Sequence, residues 1–281
     1  MIVFKRKQDI QAKISSLKNK GKTIGFVPTM GALHEGHLSL IKASRQATDI
    51  TICSIFVNPT QFNDPNDFEK YPVTIEADIL KLTEACTDIL FLPPVSEIYP
   101  EGTGALRHYN IGQLETALEG QYRPGHFQGV CNVVHRLFTI ITPDKSFFGQ
   151  KDYQQCMVIQ KLVELKNLPV EIVIYPTVRE TSGLAMSSRN MRLSFQDKEK
   201  AIAIYRSLIF IKENQRQIRI EDLQQKALQM LLDAGFEKID YVSICDAKTL
   251  QPLAEITDSD KAVALVAAFL NGVRLIDNML L

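Results

Sequence analysis

Two histidines spaced i and i+3, His34 and His37 in His34-Glu35-Gly36-His37, come shortly after the segment Pro28-Thr29-Met30-Gly31. At the start of a helix that spacing puts both imidazoles on one face, where they can meet a single ligand. A helix start also offers backbone N–H groups and the positive end of the helix dipole, which favours an anion, and Gly36 leaves room for a phosphate. Metal ligation is the competing chemistry, but no cysteine or carboxylate cluster stands at ligand spacing beside the pair. A polar loop edge is the bland alternative. Further along, Gly149-Gln150-Lys151-Asp152 joins a turn residue, a point charge for phosphate and a helix-capping carboxylate. Met186-Ser187-Ser188-Arg189-Asn190 sets two hydroxyls beside a guanidinium that can fork onto phosphate oxygens. Asn58-Pro59-Thr60-Gln61 supplies uncharged amides suited to hydroxyl or carboxylate oxygens, and Arg123-Pro124-Gly125-His126 is a further loop. Taken singly, the Lys151 segment reads better as a capped helix with a solvated lysine, the Met186–Asn190 segment equally well as a polar interdomain linker, and the Arg123 segment as a simple turn.

The elements that must position these residues follow from hydrophobic periodicity. Residues 22–27 (KTIGFV) and 50–57 (ITICSIFV) are short, β-branched and apolar, and each runs into a proline-containing turn, as buried parallel strands do. Between them residues 38–47 read as a helix, which makes a βαβ unit. A helix over 75–85 and a strand over 88–92 follow. Val130, Val133, Val134, Leu137, Ile140 and Ile141 recur at helical spacing, 154–165 continue as helix, and 170–175 form a strand. The expected architecture is α/β: a Rossmann-like doubly wound parallel sheet over residues 1–176, with ligands at the carboxyl ends of its strands. Residues 177–281 form a smaller α+β domain. There a polar loop over 177–190 precedes a helix capped by Ser194 with Asp197 in its first turn. A helix over 220–233 and strands over 238–245, 261–270 and 273–278 complete it.

Composition limits the function classes. The 281 residues carry 32 basic and 32 acidic side chains, so the field expected of a general nucleic-acid binder is missing. Hydrophobic residues make up 45% and charged residues 23%, a globular balance. No apolar run approaches the roughly 20 residues of a bilayer span, and the N-terminus lacks the pattern of a signal peptide, so a cytoplasmic protein is expected. Five cysteines, Cys53, Cys86, Cys131, Cys156 and Cys245, form no CxxC pair and are read as reduced packing residues.

The motifs also occur in one order: PTMGALHEGHLSLI, SIFVNPTQF, YRPGHFQGV, FGQKDYQQ, PTVRE and GLAMSSRN, with DYVSICDAKTLQPL and GVRLIDN near the end. In this form the sequence closely resembles the pantothenate synthetase, or pantoate–β-alanine ligase, family along essentially the whole chain. The wider HxGH superfamily of nucleotidylyl transferases and class I aminoacyl-tRNA synthetases shares the first motif and a loose version of the MSSRN loop. A different nucleotidylyl transferase would lack the paired glutamines Gln61 and Gln155, and a non-catalytic nucleotide-binding module would lack the phosphate residues.

The resemblance implies that ATP adenylates the pantoate carboxylate and that the β-alanine amine then displaces AMP, giving pantothenate. His34, His37, Lys151 and Arg189 are the implied catalytic residues, with Ser187 and Ser188 also on the phosphates. Gly149, Asp152, Val178 and Met186 match positions that hold the adenosine part. Gln61 and Gln155 match the two glutamines on pantoate, with Met30 lining that pocket and counted with the ATP set as well. Asn58, Tyr71, Glu119 and Arg123 are candidates of second rank. Mg2+ is implied as an ion bridging ATP phosphates, ligated mostly by substrate and water with no protein metal site, and a homodimer through the N-terminal domain is implied, with the C-terminal domain as a lid. Two departures are local: Ser182 stands where the family usually has Asp before Gly183, and Asn132, His135 and Arg136 replace the more usual Thr, a variable residue and Lys.

Overall fold

The apolar runs of the first half pair in parallel. A computed structural model describes residues 1–63, 65–104, 106–257 and 261–281. Its elements begin with β1 (Ile2–Phe4), α1 (Lys7–Lys18), β2 (Ile24–Thr29), α2 (Glu35–Ala47), β3 (Ile50–Ile55), α3 (Pro65–Glu69), α4 (Ile75–Glu84) and β4 (Ile89–Phe91). They continue with α5 (Val95–Ile98), α6 (Glu119–Tyr122), α7 (His126–Ile141), β5 (Lys145–Gly149), α8 (Tyr153–Lys166) and β6 (Glu171–Tyr175). The six strands form one sheet in the order β1-β4-β3-β2-β5-β6, every pairing parallel.

The alternation of strand side chains sorts the helices. Phe26, Ile52, Ile89, Phe91 and Phe148 face a core with Ile10 and Ile14 of α1, Val130 to Ile141 of α7, and Val158, Ile159 and Leu162 of α8. Their neighbours Val27, Cys53, Leu90 and Phe147 face the opposite core, with Leu40 and Ile41 of α2 and Leu82 of α4. A sheet buried on both faces is the doubly wound arrangement expected, and explains why its strands read as continuous apolar runs.

Strand order reverses at β2: the chain steps outward through β3 and β4, then returns to place β5 on the other side of β2. In such sheets the crevice for a ligand lies at this reversal, beyond the carboxyl ends of the strands. Pairing of β2 with β5 covers Gly25 and Phe26, whereas pairing with β3 continues through Pro28 to Thr29. Strand β2 therefore runs past the proline at which the sequence placed a turn. Proline has no N–H to give a ladder, and Pro28 sits beyond the β5 pairing where the strands part. Strands β1 and β5 and helix α1 are additions to the sequence expectation, and α2 and α7 each begin earlier than expected, at Glu35 and His126.

The second unit holds α9 (Phe195–Asn214), α10 (Ile220–Asp233) and a three-stranded antiparallel sheet of β7 (Lys238–Asp246), β8 (Ala262–Leu270) and β9 (Val273–Leu280). Ser194 caps α9 through a reciprocal pair: its Oγ accepts from the Asp197 amide at 3.1 Å, and the Asp197 carboxylate accepts from the Ser194 amide at 3.3 Å. The core joins Ile204, Leu208 and Ile211 of α9 and Leu223, Ala227 and Leu231 of α10 to Ala264, Val266 and Ala268 of β8. Residues 1–149 and 155–176 cluster as one compact unit, residues 150–154 and 177–281 as the other. The Gln150–Gln154 segment, which the sequence assigned with the first part, is grouped with the second.

All five cysteines are free thiols, and four are buried; Cys86 is exposed, so the packing role expected of it does not hold. Burial pushes the Cys53 and Cys131 thiols up to about 12, which leaves them inert at neutral pH.

Asp49, at the start of β3, accepts from the Thr23 amide at 2.9 Å, the Thr23 hydroxyl at 2.8 Å and Lys22 Nζ at 3.1 Å. These bonds, the Thr23 amide foremost, lower its carboxyl from 3.8 to about 2. The folded state prefers the ionised form, so the stability it adds is complete above pH 3.8 and is lost as pH falls toward about 2. Asp49→Asn should therefore flatten the acid limb of the thermal midpoint measured against pH in that window. An unchanged slope would count against this assignment.

Candidate active site

In the first unit, the site starts from the turn between β2 and α2. Gly31 (φ +84°) and Ala32 (φ +49°) both occupy the left-handed region, which carries a steric cost for the alanine. The turn is fixed from α4: Asp78, fully buried, accepts from the Ala32 amide through Oδ2 at 2.9 Å and from the Leu33 amide through Oδ1 at 2.8 Å. Lys81, one turn further along α4, donates to the Leu33 carbonyl at 2.6 Å. A β-carbon at residue 31 would come within 3.1 Å of the Asp78 carboxylate, so the glycine serves close approach as well as φ.

The turn delivers His34 as the N-cap of α2. Its Nδ1 accepts from the Gly36 amide at 3.2 Å, and His37 Nδ1 accepts from the His34 amide at 3.4 Å. The two rings lie 4.1 Å apart between centroids. An Nδ1 that accepts leaves the proton of a neutral ring on Nε2. The pair thus presents two Nε2–H donors from one helix start, a set that suits an anion and does not suit a cation. Among the described residues no group of three or more His, Cys, Asp or Glu side chains could hold a metal ion.

Beyond β3, Asn58 caps the short turn Pro59–Gln61. Its amide nitrogen lies 3.2 Å from Gln61 Oε1 and 3.3 Å from the Gly129 carbonyl, and its Oδ1 accepts from the Tyr99 hydroxyl at 2.9 Å. Gln61 Nε2 in turn reaches Met30 Sδ at 2.8 Å, so the structure brings Met30, Asn58 and Gln61 together. His126 Nδ1 bonds the Gln61 carbonyl at 2.8 Å while its Nε2 lies 3.2 Å from Arg123. Arg123 pairs with the buried Glu119 at 3.5 Å. Helix α7 approaches this turn at Gly129, where a β-carbon would fall 2.2 Å from the Thr60 carbonyl oxygen. Tyr71 is buried edge-on to Phe62 at 5.7 Å. Gln155 stands half-buried in the first turn of α8 and is not part of this hydrogen-bonded set. Gly149 corrects an expectation: it ends β5 with no left-handed φ, so it is no tight-turn residue, and the space a β-carbon would enter is open.

The second unit carries the other predicted residues. Residues 177–186 fold into a hairpin closed by Met186 N to Val178 O at 3.0 Å and Glu180 N to Leu184 O at 2.8 Å, which brings Val178 and Met186 together. Ser187 then caps the turn Ser188–Arg192, its Oγ accepting from the Arg189 amide at 3.2 Å. Asn190, buried, ties this turn to the hairpin through the Ala185 carbonyl at 3.1 Å. Lys151 lies in the 3-10 turn Gln150–Asp152, its ammonium 3.9 Å from the Asp152 carboxylate. Of the two departures, Ser182 accepts from the Leu184 amide at 3.4 Å, and buried Asn132 bonds both the amide and the carbonyl of Arg107. Both are local tethers.

The pantoate–β-alanine ligase family model matches residues 2–280. The chain belongs to the pantoate–β-alanine ligase family. A pantothenate synthetase from Cytophaga hutchinsonii is 46% identical over 283 residues, covering 100% of this chain and 99% of that one. One from Aquifex aeolicus is 42% identical and covers 99% and 98%. Among solved structures, a pantothenate synthetase from Thermus thermophilus superposes with a TM-score of 0.92 at 39% identity, covering 99% of both chains. A Francisella tularensis pantoate–β-alanine ligase, complexed with an ATP species and β-alanine, gives 0.84 at 38% identity, covering 100% of this chain and 97% of that one. The six-stranded parallel sheet with a separate three-stranded antiparallel sheet is the fold of this family.

Sequence reasoning missed Asp78, Tyr99 and His126 as holders of the site residues. His126 was visible only as part of a loop, since its partner, the Gln61 carbonyl, lies 65 residues away. Asp78 sits in the first turn of α4, where an acidic residue is ordinary and nothing marks it as a partner of a distant turn.

Proposed function

We propose that this ligase condenses pantoate with β-alanine at the expense of ATP, through a pantoyl adenylate, to give pantothenate, AMP and pyrophosphate. The observation that carries the activity is the family match over residues 2–280 together with relatives above 40% identity along their whole length. A carboxylate is a poor acyl donor until one oxygen becomes part of a good leaving group, which adenylation of the pantoate carboxylate supplies. Its oxygen attacks the α-phosphorus, the bond to the β-phosphate breaks, and pyrophosphate leaves. The β-alanine nitrogen then attacks the acyl carbon, the bond to the AMP oxygen breaks, and the amine gives up a proton.

Charge gathers on the α-phosphate and the departing pyrophosphate, so positioned donors are the main catalytic device. We assign His34 and His37, with Nε2–H donors, and Lys151, Ser187, Ser188 and Arg189 to those phosphates. Gly149, Asp152, Val178 and Met186 are assigned to the adenosine part. Gln61, joined to Met30 and Asn58 and held through its carbonyl by His126, is assigned with Gln155 to pantoate; Tyr71 and Arg123 support that pocket. No protein residue is assigned to a metal; Mg2+ brought with ATP would supply neutralisation of charge on the phosphates. The donor set supports this, being made of amides, imidazole N–H groups, hydroxyls and cations. A homodimer rests on the family resemblance, and a cytoplasmic location on the sequence pattern; among the described residues no helix is long and apolar enough to cross a membrane.

The test is product formation with each substrate withheld in turn. Pyrophosphate release should require pantoate, and multiple-turnover AMP release should require both pantoate and β-alanine. ATP turnover with neither acid present would overturn the reading.

A further inference from the structure

The GVRLIDN segment contributes most of β9, and its two consecutive buried polar residues, Asp277 and Asn278, bond groups outside the strand. Asn278, 2% exposed, donates through Nδ2 to the Gln150 carbonyl at 2.9 Å and the Lys151 carbonyl at 2.8 Å, while its Oδ1 lies 3.3 Å from Gln150 Nε2. One side chain thus closes three bonds on the turn that carries Lys151. The preceding residue, Asp277, accepts the forked Arg179 guanidinium at 2.5 and 3.0 Å and bonds the Asn278 amide at 2.8 Å. Burial raises the Asp277 carboxyl, and the Arg179 guanidinium opposes that rise. Arg179 also donates to the Gly183 carbonyl at 3.1 Å and stacks on the Tyr205 ring at 4.5 Å. Strand β9 therefore ties down both the Lys151 turn and the hairpin that leads into Met186–Asn190. This accounts for the grouping of residues 150–154 with the second unit.

We propose that Asn278 is a positioning residue for adenylation: it acts through the backbone of Gln150 and Lys151 to hold the Lys151 ammonium at its working place. The proposal rests on the assignment of Lys151 to phosphate. Two features favour positioning over fold support. The backbone of β9 pairs with β8 along Val273–Leu280 whatever the side chain at 278. Its amide spends both donors on a turn of three residues, a turn that has little regular structure of its own to hold it. A functional group held by such a shell loses rate when the shell loosens by about 1 Å, by roughly 100-fold in favourable cases.

Asn278→Ala and the isosteric Asn278→Asp both remove the donors; the second keeps the volume. Each should lower kcat for pantoate-dependent pyrophosphate release by about 10- to 100-fold while changing the KM for pantoate by less than about twofold. The thermal midpoint should stay close to that of the parent. In a double-mutant cycle with Lys151→Ala, the loss from either variant should vanish, because a residue that acts through Lys151 has nothing left to act through. Full kcat in either folded variant, multiplicative losses in the cycle, or failure of both variants to fold would each overturn the proposal. Retained adenylation in Lys151→Ala alone would instead sink the phosphate assignment on which it stands.

Discussion

Lys151→Ala is expected to cut kcat for pantoate-dependent pyrophosphate release by about 100- to 1,000-fold, the usual cost of removing one preorganised donor from developing charge. Adenylation spreads negative charge over the α-phosphate and the leaving pyrophosphate, and a cation placed there works only if it is held in place. Lys151 is held: its side chain is 15% exposed, and its turn is fixed by Asn278 at 2.8 and 2.9 Å. Loss of an ammonium that acts mainly in the transition state should appear in kcat, with the KM for pantoate little changed. His37→Ala should fall in the same step. Its imidazole presents an Nε2–H donor from the start of α2, and the variant keeps the helix because His34 still caps it. The measurement is single-turnover pyrophosphate release at saturating pantoate. Parent-like rates in folded Lys151→Ala would remove the phosphate assignment.

Much of this was legible in the sequence, and the limits are physical. The strands β2, β3, β4 and β6 and the helices α4, α8 and α10 stand out because a sheet covered on both faces demands unbroken apolar runs and its helices demand a 3.6-residue stripe. Ser194 and Asp197 announce the start of α9 because a capping box is a local device. Strand β1 does not announce itself: three residues at the sheet edge, with Ile2 48% and Val3 43% exposed, carry too little pattern. Strand β5, KSFFG, is hidden for a similar reason, since only Phe147 and Phe148 mark it between a proline turn and the Lys151 turn. At the candidate site, His34, His37, Gln61 and Lys151 stand out by residue type. What holds them does not, because the partners are remote in sequence: 45 and 46 residues for Asp78, 65 for His126, and 127 and 128 for Asn278. Local spacing cannot report a bond of that span; only the folded units bring such partners together.

Asp78→Ala should be the most damaging substitution away from the reacting groups, and it should act on stability and catalysis together. The carboxylate accepts two successive backbone amides, Ala32 and Leu33, at 2.9 and 2.8 Å in a fully buried place. Alanine removes both acceptors at once. Leaving a buried donor unsatisfied costs about 1–3 kcal/mol, so a loss of roughly 2–6 kcal/mol is expected, a large share of the stability of an ordinary domain. The turn that suffers is already strained, with Ala32 at φ +49°. It delivers His34 to the N-cap of α2, so a relaxed turn would displace both Nε2–H donors even in molecules that stay folded. Asp78→Asn tests the geometry more finely. Its amide keeps one acceptor but sets an NH2 group against the second backbone donor, so it should recover only part of the loss. Denaturant midpoints report the first effect, and single-turnover pyrophosphate release from the folded fraction reports the second. If Asp78→Asn matched the parent in both, the carboxylate would not be the staple of the turn. If stability alone fell, the turn would be a fold element with no hold on His34 and His37.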